Sequence, residues 1–278
     1  QFTDALKFRG GYARGFRASQ AFNEDLHISS VGGEPSFVLL SDNLKTEYSN
    51  AFTGSFNFSK NINLLQLDFL VEAFYTNLKD PFTLVSTGAV LPNGSILEEV
   101  RNGSGAKVYG SNFEFGVSPN QKWQFQLGGT LQKTTYDTPQ VIFEADGSAA
   151  NETDIIVDEF VRNPNFYGYF NTAWIPNEKF NLDVTGTYTG SMLVPKVISD
   201  SGFLQLNNVD SFFDVNVKLE SHFDFSENFM TTFSVGVKNI FNNYQDDFDS
   251  GPTRDSDYVY GPGTPRTFFI GVKFGKLH

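Results

Sequence analysis

The sequence contains no cysteine, only two methionines, two tryptophans and three histidines, and its 32 acidic residues outnumber its 20 basic ones. Each shortage removes a class of chemistry. Without cysteine there is no disulfide framework, no thiolate zinc site and no cysteine nucleophile. His27, His222 and His278 are too scattered in sequence to make a metal-ligand cluster. A net charge of −12 opposes nucleic-acid binding, which requires a positive surface against phosphates, and there is no polybasic membrane anchor. Long apolar runs are missing as well. No stretch approaches the roughly 18 uncharged apolar residues that a membrane-spanning helix needs. Gln1-Phe2-Thr3-Asp4 shows neither the basic nor the apolar region of a signal peptide, so the expectation is a mature, processed or truncated start. A nucleophile elbow, a phosphate loop and a paired-histidine motif are all lacking. Gly103-Ser104-Gly105-Ala106-Lys107 lacks the spacing of a phosphate loop and reads as a flexible loop tip. Neither enzymatic activity nor a cofactor is expected.

What is present is aromatic and alternating. The chain holds 31 phenylalanines and 11 tyrosines, and 40% apolar content comes with a slightly hydrophilic average. A membrane strand needs apolar side chains only at alternate positions, so such an average is compatible with a lipid-embedded barrel. Apolar residues recur at every second position in several segments, the repeat of a strand with one apolar face. In residues 267–275 one face carries Phe268, Ile270, Val272 and Phe274, and only Phe269 breaks the polar character of the other. Residues 180–188 set Phe180, Leu182, Val184 and Tyr188 against Asn181, Asp183, Thr185 and Thr187. Residues 212–220 set Phe213, Val215, Val217 and Leu219 against Asp214, Asn216, Lys218 and Glu220. With similar runs at 5–14, 45–59, 65–79, 107–118, 122–136, 165–175 and 229–239, the pattern predicts ten strands. Many exceed the five to six residues typical of soluble strands and reach the roughly nine to eleven that a tilted membrane strand needs.

The connections alternate too. Short turns stand at 60–63, 119–121, 176–178 and 226–228, and long polar stretches at 15–44, 81–106, 137–162, 195–210 and 242–263. Tight turns on one side and long loops on the other are the pattern of an outer-membrane barrel. Of the competing soluble architectures, a sandwich would not be expected to keep all its long loops at one end, and no blade-length repeat supports a propeller. Tyr75, Trp123, Tyr136, Trp174, Tyr188 and Phe229 lie near strand ends, where amphipathic rings settle at the lipid boundary. Asp246, Asp247, Asp249, Asp255 and Asp257 crowd the last loop. Clustered carboxylates suit calcium, although the spacing is not that of an EF-hand, and a solvated acidic loop is the plainer alternative.

Two regions carry a family resemblance. Gly236-Val237-Lys238-Asn239-Ile240-Phe241-Asn242-Asn243-Tyr244, followed by Tyr258-Val259-Tyr260-Gly261-Pro262 and by Pro265-Arg266-Thr267-Phe268-Phe269-Ile270-Gly271-Val272-Lys273-Phe274, resembles the end of a TonB-dependent receptor. Arg9-Gly10-Gly11-Tyr12-Ala13-Arg14-Gly15-Phe16-Arg17-Ala18 and Asp42-Asn43-Leu44-Lys45-Thr46-Glu47-Tyr48-Ser49 resemble its mid-barrel segments, in the right order. The residues also have plain physical roles: Pro265 suits a strand start, Arg266 an interface, and Asn239 the capping of a strand end.

The resemblance implies an all-β protein, with residues 1–278 as the C-terminal part of an antiparallel transmembrane β-barrel. Ten strands would come from a barrel of about 22, plugged by a separate N-terminal domain outside this sequence. It further implies a bacterial outer-membrane receptor taking up a scarce nutrient such as an iron–siderophore, haem or cobalamin. The implied partners are the TonB complex, reached through the absent N-terminal part, a small-molecule ligand and outer-membrane lipid. Arg14, Phe16, Arg17, Phe22 and His27, with Tyr136, Tyr258 and Tyr260, are the candidate ligand contacts. Arginine offers bidentate hydrogen bonds to carboxylate or phosphate, and aromatic rings stack on flat ligands. A passive porin or surface-binding barrel without TonB coupling, and a soluble β-rich binding domain, remain alternatives.

Overall fold

Alternation of apolar and polar side chains favours extended chain, and the computed structural model contains seventeen strands and, among the described residues, no helix. It describes residues 3, 5–19, 36–90, 92, 96–143, 153–198, 203–226, 229–251, 254–255 and 258–276. In chain order the strands are β1 (Leu6–Arg17), β2 (Ser36–Leu40), β3 (Glu47–Ile62), β4 (Leu65–Lys79), β5 (Phe82–Val90) and β6 (Ile96–Asn102). Next come β7 (Ala106–Asn120), β8 (Trp123–Tyr136), β9 (Gln140–Phe143), β10 (Ile155–Val157), β11 (Phe166–Asn177) and β12 (Phe180–Thr189). The series closes with β13 (Met192–Ile198), β14 (Phe203–Val209), β15 (Phe212–Ser226), β16 (Phe229–Lys238) and β17 (Thr267–Lys276).

Ten of these form one antiparallel meander in the order β1-β3-β4-β7-β8-β11-β12-β15-β16-β17. They are the ten segments that the alternation predicts. The turn residues explain the tight ends. Asn63 adopts a left-handed φ of 53° between β3 and β4, a conformation that asparagine tolerates better than most residues. The Asn120 side chain accepts a hydrogen bond from the Lys122 amide at 2.8 Å, and Asn177 accepts one from the Lys179 amide at 2.9 Å.

Opposed residues in an antiparallel register share a face, so the register assigns both faces across the whole sheet. Phe8, Phe56, Val71 and Phe113 oppose one another in sequence on one face. Ser55, Glu72, Asn112 and Thr130 do so on the other. A soluble sheet buries its apolar face under a second layer. Here Phe56 is 49% exposed, Leu127 48% and Ile270 84%, and no layer among the described residues covers them. We call this face outward and the polar one inward. Most of the predicted aromatics take the outward face: Trp123 and Trp174 stack at 5.7 Å near the turn end, while Tyr75 and Tyr188 lie toward the loop end. Tyr136 is different. Its register partner Ala106 places it inward, packed on Phe160 at 5.0 Å. The side chain of Phe229 lies outside the described residues.

Among the described residues β1 pairs only with β3 and β17 only with β16, so both edges of the sheet present backbone groups that no described strand pairs. At the loop end, where the sequence reads as irregular polar chain, three small sheets form: β2-β6-β5, β9-β10 and β13-β14. These strands span three to nine residues, so each offers too few alternating positions to stand out among neighbouring glycine, asparagine and aspartate. The pairing of β2 with β6 is parallel and ties the first long connection to the second.

Candidate functional site

The loop end of the sheet and its inward face bring together the side chains able to meet a solute. Asn239 organises the last connection. It is 2% exposed with φ of 49°. Its amide donates to Asn216 Oδ1, its Nδ2 donates to the carbonyls of Asn243 and Thr264, and its Oδ1 accepts from the Asn243 amide. The strand-end role inferred for Asn239 is therefore visible as four hydrogen bonds. Asn242 then accepts from the Arg266 amide at 2.9 Å, tying the same turn to the residue that precedes β17.

Beyond that turn, the Asp247 carboxylate accepts hydrogen bonds from Tyr258 Oη at 2.9 Å and Tyr260 Oη at 2.6 Å. Gln245, buried, donates to the Tyr258 carbonyl and accepts from the amides of Tyr260 and Gly261. Tyr258 packs with Met192, Val194 and Val209 of the β13-β14 hairpin, beneath the ammonium of Lys196 at 4.5 Å. Desolvation opposes charge on Asp247, but the hydrogen bonds from Tyr260 and Tyr258 outweigh it and hold the carboxyl below its ordinary pKa. Burial and the neighbouring Asp247 push the Tyr260 phenol above its ordinary range. Tyr258 and Tyr260 are thus committed to the rim's own structure. Tyr258 is 2% exposed.

The first-loop candidates divide between faces. Arg14 and Phe16 follow Phe8 and Tyr12 on the outward parity of β1, with the Arg14 guanidinium 4.8 Å from the centre of the Tyr48 ring. Arg17 opposes Glu47 on the inward parity and lies 5.0 Å over the Phe82 ring. The sequence pattern suggested a strand ending at 14; continued pairing with β3 carries it to Arg17. Phe22 and His27 lie outside the described residues. Tyr136 sits at the inward end of β8, next to Phe160.

The aspartates of the last loop do not converge. Asp249 accepts from the amides of Ser250 and Asp255 at 3.1 and 2.8 Å, Asp247 serves the two tyrosines, and Asp257 lies outside the described residues. Among the described residues no three histidine or carboxylate side chains gather as metal ligands.

Below the rim, the inward face forms a trough of about 950 Å³ whose polar lining includes Gln66, Asp68, Glu114, Gln126, Asp183 and Lys218. Polar contacts run both across strands and along them. Thr130 donates to Asn112, and Asn112 donates to Glu72. Lys218 lies 3.3 Å from Asp183 and 3.4 Å from Glu220. These residues are the polar positions of the same alternation that defines the strands, and none of them stands among the candidate ligand contacts read from the sequence.

The family model described as "TonB dependent receptor-like, beta-barrel" matches residues 1–240. No curated protein sequence matches the chain. Among solved structures, the ferripyoverdine receptor of the outer membrane of Pseudomonas aeruginosa, bound to ferripyoverdine, aligns with a TM-score of 0.65 at 12% identity, covering 99% of this chain and 32% of that one. The FrpB iron transporter from Neisseria meningitidis aligns with a TM-score of 0.61 at 13% identity, over 100% and 38% of the two chains. The siderophore receptor PirA from Acinetobacter baumannii aligns with a TM-score of 0.60 at 15% identity, over 100% and 40%. At these identities the likeness is one of fold, and the chain spans between 32% and 40% of the length of these three proteins.

Proposed function

The chain belongs to the TonB-dependent receptor β-barrel family, and on that footing we propose that it forms part of the wall and rim of a bacterial outer-membrane receptor importing an iron–siderophore complex, or a comparably scarce nutrient, with energy coupled through TonB. One observation carries the reading: a continuous ten-stranded sheet is apolar outward and polar inward, with its long connections at one end. Lipid accepts the first face and an aqueous or plugged lumen the second. Unpaired backbone groups at both edges cost several kcal/mol each against hydrocarbon. In this reading residues 1–278 are the C-terminal part of the barrel, and further strands and a plug domain come from sequence outside it.

Ligand capture falls to the inward side of the rim. Arg17 is the best placed of the candidates, because its guanidinium is exposed on the inward parity with Phe82 beneath it. Tyr136 faces the same side, and Phe22 and His27 belong to the same proposal. Arg14 and Phe16 face outward and contribute least.

The test is uptake of a radiolabelled ferric siderophore by iron-starved cells whose only receptor is the full-length protein. Uptake should require TonB, and Arg17→Ala should lower it several-fold while Phe16→Ala leaves it near the parent level. Uptake persisting without TonB would favour a passive barrel, and recovery of the intact protein in detergent-free soluble extract would sink the membrane reading altogether.

A further inference from the structure

Charge is distributed over the two faces in one sense only. The inward face of the long strands carries Glu47, Asp68, Glu72, Glu114, Asp183, Asp214 and Glu220 among its cations. Among outward positions whose side chains are described, there is no aspartate or glutamate; the charged residues are Arg14, Lys60, Lys79, Lys107 and Lys133. In a chain with 32 carboxylates against 20 cations, outward strand positions holding cations alone, with only Asp137 just beyond β8 to pair Lys107, point to a negative surface opposite them. Lys60 lies at the turn end. The other four lie at the loop end, on β1, β4, β7 and β8.

The register places them in three adjacent rows at the loop end. Tyr12, Phe52, Tyr75 and Tyr109 oppose one another across β1, β3, β4 and β7, and the row ends on Lys133 of β8. Such rings mark the upper boundary of the hydrocarbon layer. The next row toward the loops is polar: Arg14, Asn50, Asn77, Lys107 and Thr135. Lys79 follows one step further, opposite Tyr48. Tyr12 Oη donates to Asn50 Oδ1 at 2.8 Å, tying the aromatic row to the polar one. Lys107 is paired with Asp137 at 2.5 Å, but Arg14, Lys79 and Lys133 are exposed and have no carboxylate partner among the described residues. From β1 to β8 the strip crosses four strand spacings, about 19 Å. The rest of the loop-end outward face differs, with Phe166, Tyr188 and Phe213 packed ring to ring.

We propose that this strip binds the phosphate groups of anionic lipid headgroups in the outer leaflet, with Arg14, Lys79 and Lys133 as the contacts and the tyrosine row beneath seating the acyl boundary. The proposal rests on the outer-membrane reading above. Cations at headgroup level are attracted to anionic lipid, and guanidinium groups bind phosphate in bidentate fashion.

The test uses the full-length receptor, delipidated in detergent and titrated with lipid A, with intact or enzymatically removed phosphates, and read by native mass spectrometry. Arg14→Gln/Lys79→Gln/Lys133→Gln should bind the phosphorylated lipid at least about tenfold more weakly. The parent should discriminate against the dephosphorylated lipid to a similar extent, and Lys218→Gln/Lys238→Gln, altered on the inward face, should bind as the parent does. Heat-modifiable migration verifies folding; if the triple variant fails to fold, Lys79→Gln and Lys133→Gln singly should each weaken binding several-fold. Equal binding by variant and parent, indifference to the phosphates, or full displacement by inorganic phosphate overturns the proposal. A parent protein absent from the outer-membrane fraction overturns the barrel reading with it, whereas normal fractionation with unaltered lipid binding overturns this proposal alone.

Discussion

The two faces of the ten-stranded sheet are built from the same strands at alternate positions, yet they solve opposite problems. Outward, Phe56, Leu127, Phe233 and Ile270 remain exposed over a surface that none of the described residues covers, a role that lipid takes in the proposed reading. Inward, polar groups are provided for by polar neighbours, as in the chain from Thr130 through Asn112 to Glu72. Glycine shows the contrast in miniature. Outward, the position a Cβ would take on Gly186 is filled by the Phe170 ring; inward, that of Gly128 is filled by the Tyr169 ring, whose hydroxyl accepts from Gln126 at 3.3 Å. Both faces cover glycine with an aromatic from the next strand, but only the inward ring reaches a polar partner. The lesson is that parity along the strand, more than residue identity, decides which solvent a side chain must suit.

The largest expected effect comes from breaking that parity. In the intact receptor folded into bilayers, Leu127→Arg should lower the free energy of unfolding in urea by about 2–4 kcal/mol, the penalty for a cation near the middle of the lipid face. Gln126→Arg, one residue away on the other face, should change it by less than about 0.5 kcal/mol; equal effects from the two would refute the assignment of faces. A smaller effect sharpens the inward side. Asn112→Leu removes the group that links Thr130 to Glu72 and should cost about 1–2 kcal/mol by leaving buried polar atoms unpaired, measured in the same unfolding experiment.

The smallest effect concerns the rim. Because hydrogen bonds hold Asp247 below its ordinary pKa, its contribution is complete above the unfolded carboxylate value of about 4 and is lost as pH falls through the lower folded value. The group is partly exposed, so the effect on stability should stay below about 1 kcal/mol. Near-ultraviolet circular dichroism of the tyrosines, titrated from neutral to strongly acidic pH, should report a transition in the parent that Asp247→Asn lacks. An unchanged titration in the variant would show that the pairing with Tyr258 and Tyr260 does not hold the loop.

How much of this was legible in the chain depends on range. The ten long strands were, and their limits agree to within three residues, as at 65–79 and Leu65–Lys79, except that the strand expected at 212–220 runs on to Ser226. The four short turns and the strand-end role of Asn239 were legible too, although two of the Asn239 hydrogen bonds reach Asn216 and Thr264, 23 and 25 residues away. The rim was not. Tyr258 and Tyr260 read as free aromatics because their partner Asp247 lies eleven and thirteen residues away across an irregular loop. Arg14, Phe16 and Arg17 read as one cluster because they are close in sequence, whereas the extension of β1 against β3 turns Arg17 inward and the other two outward.

The sequence by itself determined the strand period, the number of long strands and the alternation of short and long connections, because these depend on local backbone preference and on which side chains alternate. Only the tertiary structure decided the register between strands, and with it which cations share a row and which tyrosines close the rim. Register arises from pairing between segments distant in the chain, and no local pattern contains it.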